Sequence, residues 1–508
     1  MLVMTKLLRT DAYKISMAEA GFALREETFG YSHRKGGVNG WHYMPVDVKK
    51  FVKDLLPDVI NDPTDYDYLS QHNYEVGAGF RKAFSLKDNL RISSVPKGSW
   101  FYNREPAFFA KGPSAVSSWL EPTALQLNFR IQLATLYKAG KTAELAERIR
   151  FATCQREKDI ILETLDSLAI DLGSKIKLLP QFNIEVREQA YYEWVYRRAK
   201  ELVGIVENPD RLFEVGMRGV SCSEQHEIVL KAIKDAGVLR TSNVELAQKL
   251  NMIPVGTMGH EHPQRFNLDD YAAYTAMKDR FPGFLFYLPD TTSTLMSGVP
   301  SALRVIAEDP GRDAGIRFDS EANVRSHYTY TVALAREKGL EPRLALESGW
   351  NKELTVEFEE LRKQVRWPMD RQAYGYGGYF TKPEWPTFSR DDVAAVWKLS
   401  QSGSLSTMKF GDEPKSAKES IPGMPVIWRI RPGVDAHRMP ASIIAQEGEQ
   451  ISLDSYYLLT DKESDDVLPP NQGSIRREPP VFSAETQRLI NQCRARKQEV
   501  LAQACLKG

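Results

Sequence analysis

Residues 211–220 read RLFEVGMRGV, 252–260 MIPVGTMGH, 284–290 FLFYLPD, 314–320 AGIRFDS, 344–350 LALESGW and 372–380 QAYGYGGYF. Each is a short apolar or β-branched run. All but the last are followed by helical spacing, over Ser223 to Asp235, Leu268 to Arg280, Ser297 to Glu308, Asn323 to Lys338 and Lys352 to Lys363. A strand-helix period of roughly thirty residues is the βαβ unit, whose crossover forces parallel strands. The repeat predicts an α/β fold, either a β/α barrel or an open doubly wound sheet. Parallel strands send their exits to one face, and in a β/α barrel that face carries the active site. The exits here hold Arg218, His260, Asp290, Asp319, Ser348 and the Gly377–Gly378 pair. Loops are polar because they are wet, but these residue types at every exit favour a site.

Outside this repeat the pattern changes. Residues 1–134 mix aromatic strand-like pieces, Glu27 to His33 and Trp100 to Tyr102, with short helical patterns, and predict an α+β layer. From Thr135 to Val203 apolar residues recur at helical spacing, which predicts a helical insert leading into the barrel, the two together spanning 135–385. Residues 386–508 form a C-terminal segment expected to pack with the N-terminal layer.

Composition narrows the classes. The 508 residues carry 67 Lys+Arg against 67 Asp+Glu, a balance without the clustered positive charge that nucleic acid or an anionic membrane surface requires. No apolar run approaches the ~18–20 residues of a membrane span. Cys154, Cys222, Cys493 and Cys505 are too sparse for a disulfide scaffold or a zinc knuckle, and a reducing cytoplasm is the expected compartment. His260 and His262 lie two apart with no third ligand nearby, unlike common zinc spacings, so no metal site is expected there.

Several motifs in order resemble the nicotinate/nicotinamide phosphoribosyltransferase family. TDAYKISMAEAGF (10–22) is similar to its N-terminal T-D-x-Y motif, and EVGMRGVS (214–221) to its F-G-x-R strand. RTSNVELAQKLNMIPVGTMGHE (240–261) resembles the stretch that ends in its active-site histidine. GIRFDS (315–320) resembles its R-x-D-S-G-D strand, YGYGGYF (374–380) its glycine pair, and VWKLSQ with TMKFGDEPKSAKESIPG (396–423) its lysine-rich segment. The resemblance implies a type II phosphoribosyltransferase-like barrel with a second α+β domain built from both chain ends. The activity it implies joins a pyridine nitrogen to C1 of 5-phosphoribosyl 1-pyrophosphate and expels pyrophosphate with its Mg2+.

Roles follow from that resemblance. His260 would be phosphorylated by ATP as a neutral imidazole nucleophile. Asp319 after Arg317 would clamp the ribose hydroxyls, since a carboxylate accepts two hydrogen bonds. Asp290, Ser348, Gly349, Gly377 and Gly378 would hold the phosphoribosyl group, glycine allowing close backbone approach. Lys398, Lys409, Lys415 and Lys418 would neutralise pyrophosphate. Tyr13 would face the pyridine ring from across a homodimer interface, and Arg218 would fork a substrate carboxylate, with Glu214 as a possible acid opposite it.

The match also departs from the family. Asp319-Ser320-Glu321-Ala322 lacks the second aspartate, Gly349-Trp350-Asn351 replaces an acid or amide after the serine, and Arg218 is followed by Gly219 where nicotinate enzymes commonly carry a second arginine. The last change pulls towards nicotinamide; TDAYK, TMGHE and KFGDEPKSAKESIPG pull towards nicotinate. The reading adopted is nicotinate transfer coupled to ATP, with nicotinamide transfer and a non-catalytic or altered-donor paralogue as alternatives. A Schiff-base lyase is disfavoured because no strand exit offers a lysine.

Overall fold

Seven short strands, β1 (Leu212–Glu214), β2 (Arg240–Thr241), β3 (Ile253–Pro254), β4 (Leu285–Tyr287), β5 (Ala314–Phe318), β6 (Arg343–Leu346) and β7 (Gln372–Tyr376), form one sheet in the order β3-β2-β1-β7-β6-β5-β4. Each pairing is parallel, so all seven exits share one end. The computed structural model describes residues 6–507 apart from 169, 171–172, 174–176, 179–186, 282, 320–322, 411–418, 432–433, 435–438 and 460–478. The helix after β1 spans Ser223–Asp235, as its spacing predicts, and the four other predicted crossover helices lie within two residues of their expected ends. Only β2 was not anticipated as a strand; two residues are too few to show a period.

The expected barrel is a parallel half-barrel. Among the described residues β3 and β4 share no backbone ladder. Pro254 has no N–H to give, and the chain then passes through Gly256 at φ +149. A side chain spans the gap instead: Thr257 Oγ1 donates to Phe286 O at 2.6 Å and accepts from Phe286 N at 3.3 Å.

Beside the half-barrel stands an antiparallel sheet whose central strand, Glu26–His33, lies between Phe108–Pro113 and Ala395–Ser402. The chain therefore returns after the half-barrel to pair with its own beginning. Helices Thr142–Ile149 and Gln155–Ser167 share an apolar cluster with Trp41 and Trp100 of a two-stranded antiparallel sheet, Trp41–Tyr43 with Trp100–Tyr102. Helix Leu127–Lys138 runs across position 134/135, and helix Glu188–Val206 is the one that packs into the half-barrel's core. Cys154 and Cys222, far apart in sequence, place their free thiols 3.5 Å apart. No helix among the described residues is long and apolar enough to cross a membrane.

A buried ion pair joins the layers. Arg265 donates from Nε and Nη2 to the two Glu27 oxygens at 3.0 Å, and Ser114 and Ser402 complete the carboxylate at 2.7 Å. Removing one partner of such a pair strands a buried charge, so Glu27→Ala should cost about 3–5 kcal/mol in urea unfolding. Glu27→Gln, which keeps an acceptor, should cost less.

Candidate active site

At the strand exits lies a cavity of about 420 Å³, reached by Tyr13, Arg218, His260, Arg317, Asp319 and Lys398 and running inward past Phe213 and Phe286. The structure thus gathers six of the expected residues around one cavity.

His260 follows β3 and is 7% exposed. Its Nδ1 is 3.1 Å from Thr291 Oγ1, and its Nε2 is 3.3 Å from Asp319 Oδ2 and 3.9 Å from Asp290 Oδ2. Burial and the nearby Lys409 push its pKa down against the pull of the two aspartates, so the ring is neutral at pH 7. Burial alone would raise the Asp319 carboxyl, but the His260 contact, Lys409 and Arg317 hold it well below the usual range. Asp319 is therefore a fixed anion. His262 turns away: its ring bonds Ala273 O at 2.9 Å, and burial pushes it down to about 3. That is a structural role.

Tyr13 lines the cavity of its own chain. Helix Ala12–Ala20 is bonded to the β2 exit through Ala12 N to Ser242 O and to the β3 exit through Ser16 Oγ to Thr257 O. Within this chain its hydroxyl donates to Glu121 at 2.9 Å. Arg218 lies 5.8 Å from the Tyr13 ring, with Asp11 at 3.8 Å and Glu121 at 3.9 Å. The expectation for Glu214 is corrected. It is fully buried off the cavity wall, and its oxygens take His226 Nε2 at 2.9 Å, Thr241 Oγ1 at 2.7 Å and the Gly216 N–H. A carboxylate so occupied opposes nothing in the ring slot.

Ser348 and Gly349, at φ +71 and +66, form a left-handed turn ahead of Asn351, which caps helix Lys352–Gln364. They lie off the cavity wall, as do Gly377, Gly378 and Asp290. A Cβ at Gly377 would meet Val215 O at 3.4 Å, ordinary contact, so packing within the protein does not by itself demand glycine there. Lys398 sits between the main cavity and a second one of about 300 Å³ bordered by Arg34, Arg104 and Arg494. Lys409 is close enough to act on His260 and Asp319. Lys415, Lys418 and the Ser320-Glu321-Ala322 departure lie outside the described residues.

Four residues escaped the sequence reading. Glu121 stands alone among apolar neighbours in SAVSSWLEPTALQL, the mark of a carboxylate that must find a buried partner. That partner is Lys14, at 2.5 Å. Arg34 lies in HRKGG, a basic pair before glycines, and Glu347 was passed over for Ser348 beside it.

No family model matches the sequence. The Bacillus subtilis nicotinate phosphoribosyltransferase is 24% identical over 273 residues, 52% of this chain and 51% of that protein. The match thus spans about half the length of that curated relative. Among solved structures, a proposed nicotinate phosphoribosyltransferase from Saccharomyces cerevisiae matches with TM-score 0.56 and 17% identity over 81% of this chain and 94% of its own. That from Porphyromonas gingivalis matches with TM-score 0.55 and 14% identity over 82% and 96%. This chain is thus distantly similar to nicotinate phosphoribosyltransferases, in sequence over about half its length and in fold over most of it. The structural matches establish its fold as type II phosphoribosyltransferase-like.

In this chain, burial and the nearby Lys409, Arg34 and Arg218 push the Lys398 ammonium down to about 7 against the attraction of Glu121. The group is charged below that pH and neutral above it. Affinity for inorganic pyrophosphate, measured by calorimetry between about pH 6 and pH 8, should fall as Lys398 discharges. In Lys398→Arg, whose guanidinium stays charged, that part of the fall should vanish.

Proposed function

We propose that this chain is a pyridine phosphoribosyltransferase. It would take nicotinate and 5-phosphoribosyl 1-pyrophosphate to nicotinate mononucleotide and pyrophosphate, coupled to ATP hydrolysis. The observation that carries the reading is the convergence of His260, Asp319 and Arg317 on one cavity beside a cluster of cations. A reaction through a cationic ribosyl centre needs a fixed anion near C1 and positive charge around the leaving group. Asp319, held ionised, supplies the first and can accept from ribose hydroxyls. Lys398, Lys409 and Arg34 supply the second. Magnesium enters with the pyrophosphate as part of that substrate, and Asp319 is the hard oxygen ligand it favours.

The neutral ring of His260 supports the ATP coupling. A ring nitrogen attacks the terminal phosphorus, the P–O bond to ADP breaks, and water later cleaves the P–N bond to release phosphate. Glu214, with its oxygens engaged elsewhere, leaves the acid admissible as base. Nicotinamide is the second reading, favoured by the acidic Glu347 on the cavity wall. A homodimer is proposed on the resemblance alone, and sedimentation at micromolar concentration tests it.

Nicotinate and nicotinamide offered together with the ribosyl donor should give mainly nicotinate mononucleotide, rising when ATP is added. Exclusive nicotinamide mononucleotide would reverse the choice of base, and no product from either would favour the altered-donor or non-catalytic reading. His260→Ala should lose the ATP stimulation and keep slow transfer; retained stimulation reassigns His260 to structure. Asp319→Ala should lower kcat by about two orders of magnitude through lost positioning.

A further inference from the structure

We propose that Glu347 selects the base by its exocyclic group, which must present a hydrogen to Glu347 Oε2. The proposal rests on the pyridine-transferase reading and names the feature of the substrate that the site tests.

Glu347 is the first residue after β6, and its backbone N–H is tied to Phe318 O of β5 at 3.1 Å. Its Oε1 lies 2.9 Å from Arg317 Nε, and Arg317 is itself braced by Nη2 donating to Met258 O at 2.9 Å. Oε2 is different. It is buried, belongs to a side chain only 7% exposed on the cavity wall, and has no hydrogen-bond partner among the described residues. A buried carboxylate oxygen left unpaired is costly, and one at a ligand cavity is accounted for when the ligand brings the donor.

The surroundings say what shape of ligand fits. Gly375 of β7 faces this oxygen: a Cβ there would come within 3.0 Å of Glu347 Oε2 and 2.5 Å of the Phe213 ring. The missing side chain lets Phe213 and Glu347 close in against β7, and both residues also line the cavity, which therefore has an aromatic wall beside the Arg317–Glu347 pair. A flat heteroaromatic ring against Phe213 directs its substituent to one donor and one acceptor. A carboxamide satisfies both, its C=O accepting from Arg317 and its N–H donating to Glu347. A carboxylate satisfies Arg317 but meets Glu347 with like charge, and it fits once a proton bridges the two carboxyl groups.

That proton is available near neutrality. Burial pushes Glu347 up to about 7; Arg317 and Arg218 oppose the rise, and Asp319 and Asp290 add to it. These groups come from β5 and from the exits of β1, β4 and β5, while Phe213 and Gly375, the contacts from β1 and β7, bring no charge. Nicotinate binding above that pH therefore takes up a proton, and nicotinamide binding does not.

Calorimetry of each base with the full chain, in buffers of different ionisation enthalpy at about pH 8, counts the protons. The expected result is uptake approaching one proton with nicotinate and none with nicotinamide. Glu347→Gln keeps the shape and removes the charge; it should abolish the uptake, flatten the fall of nicotinate affinity with pH, and raise the nicotinate-to-nicotinamide affinity ratio about tenfold. No uptake with nicotinate in the unaltered protein overturns the proposal even if the variant fails to fold, and so does an unchanged ratio in a folded variant. The count needs no turnover. If the unaltered protein binds the bases but forms no mononucleotide, the transferase reading falls while the count still decides Glu347; binding of neither base overturns both.

Discussion

The ammonium of Lys14 is the buried charge around which the molecule is organised. It is fully enclosed, 2.5 Å from Glu121 and 2.6 Å from Glu261. An unpaired charge at such a place would cost several kcal/mol, so three segments distant in sequence must meet: the helix that follows Asp11, the apolar helical stretch ending in Glu121, and the residue directly after His260. Ser118 adds a hydrogen bond to Glu261 at 2.5 Å. At the other end of the short helix Glu261–Arg265, Arg265 is bound to Glu27. The short helix directly after His260 is thus clamped at both ends by the N-terminal layer.

This clamp also sets the polarity of the cavity. Burial would raise Glu121, yet Lys14, Lys398 and Arg218 keep it well below the usual carboxylate range. Glu121 beside the Tyr13 ring is consequently a fixed and paired anion, whereas Lys398 stands where several cations crowd together. One part of the cavity is a settled ionic lattice, and the other has a surplus of positive charge suited to phosphate groups. A chain with zero net formal charge hides this division, because overall balance says nothing about local separation.

The sequence displayed the repeat because each strand is apolar and each crossover helix long enough for its spacing to show. It displayed His260, Asp319 and Arg317 because residues at strand exits are marked by the run before them. What it concealed depends on contacts between distant segments. Nothing in TDAYK says that Tyr13 lines the cavity of its own chain; the bonds to Ser242 and Thr257 place it there. Glu214 looks like a ring-slot acid on its strand, and its engagement by His226 and Thr241 requires the neighbouring helix and strand to be in place. Glu347 was obscured by the serine and glycine after it, whose left-handed turn points the eye to the loop and away from the wall.

The single hydroxyl of Thr257 between β3 and β4 makes that joint unlike the others in the half-barrel. Backbone ladders lock their strands in register, but here the two edges are stitched by side chains: Thr257 inside, and at the mouth His260 to Thr291, Asp290 and Asp319. Parting this joint would sacrifice no backbone ladder among the described residues. His260 rides on one lip and its three partners on the other, so any change in the bore of the half-barrel is read directly as a change in the 3.3 Å separation of His260 and Asp319.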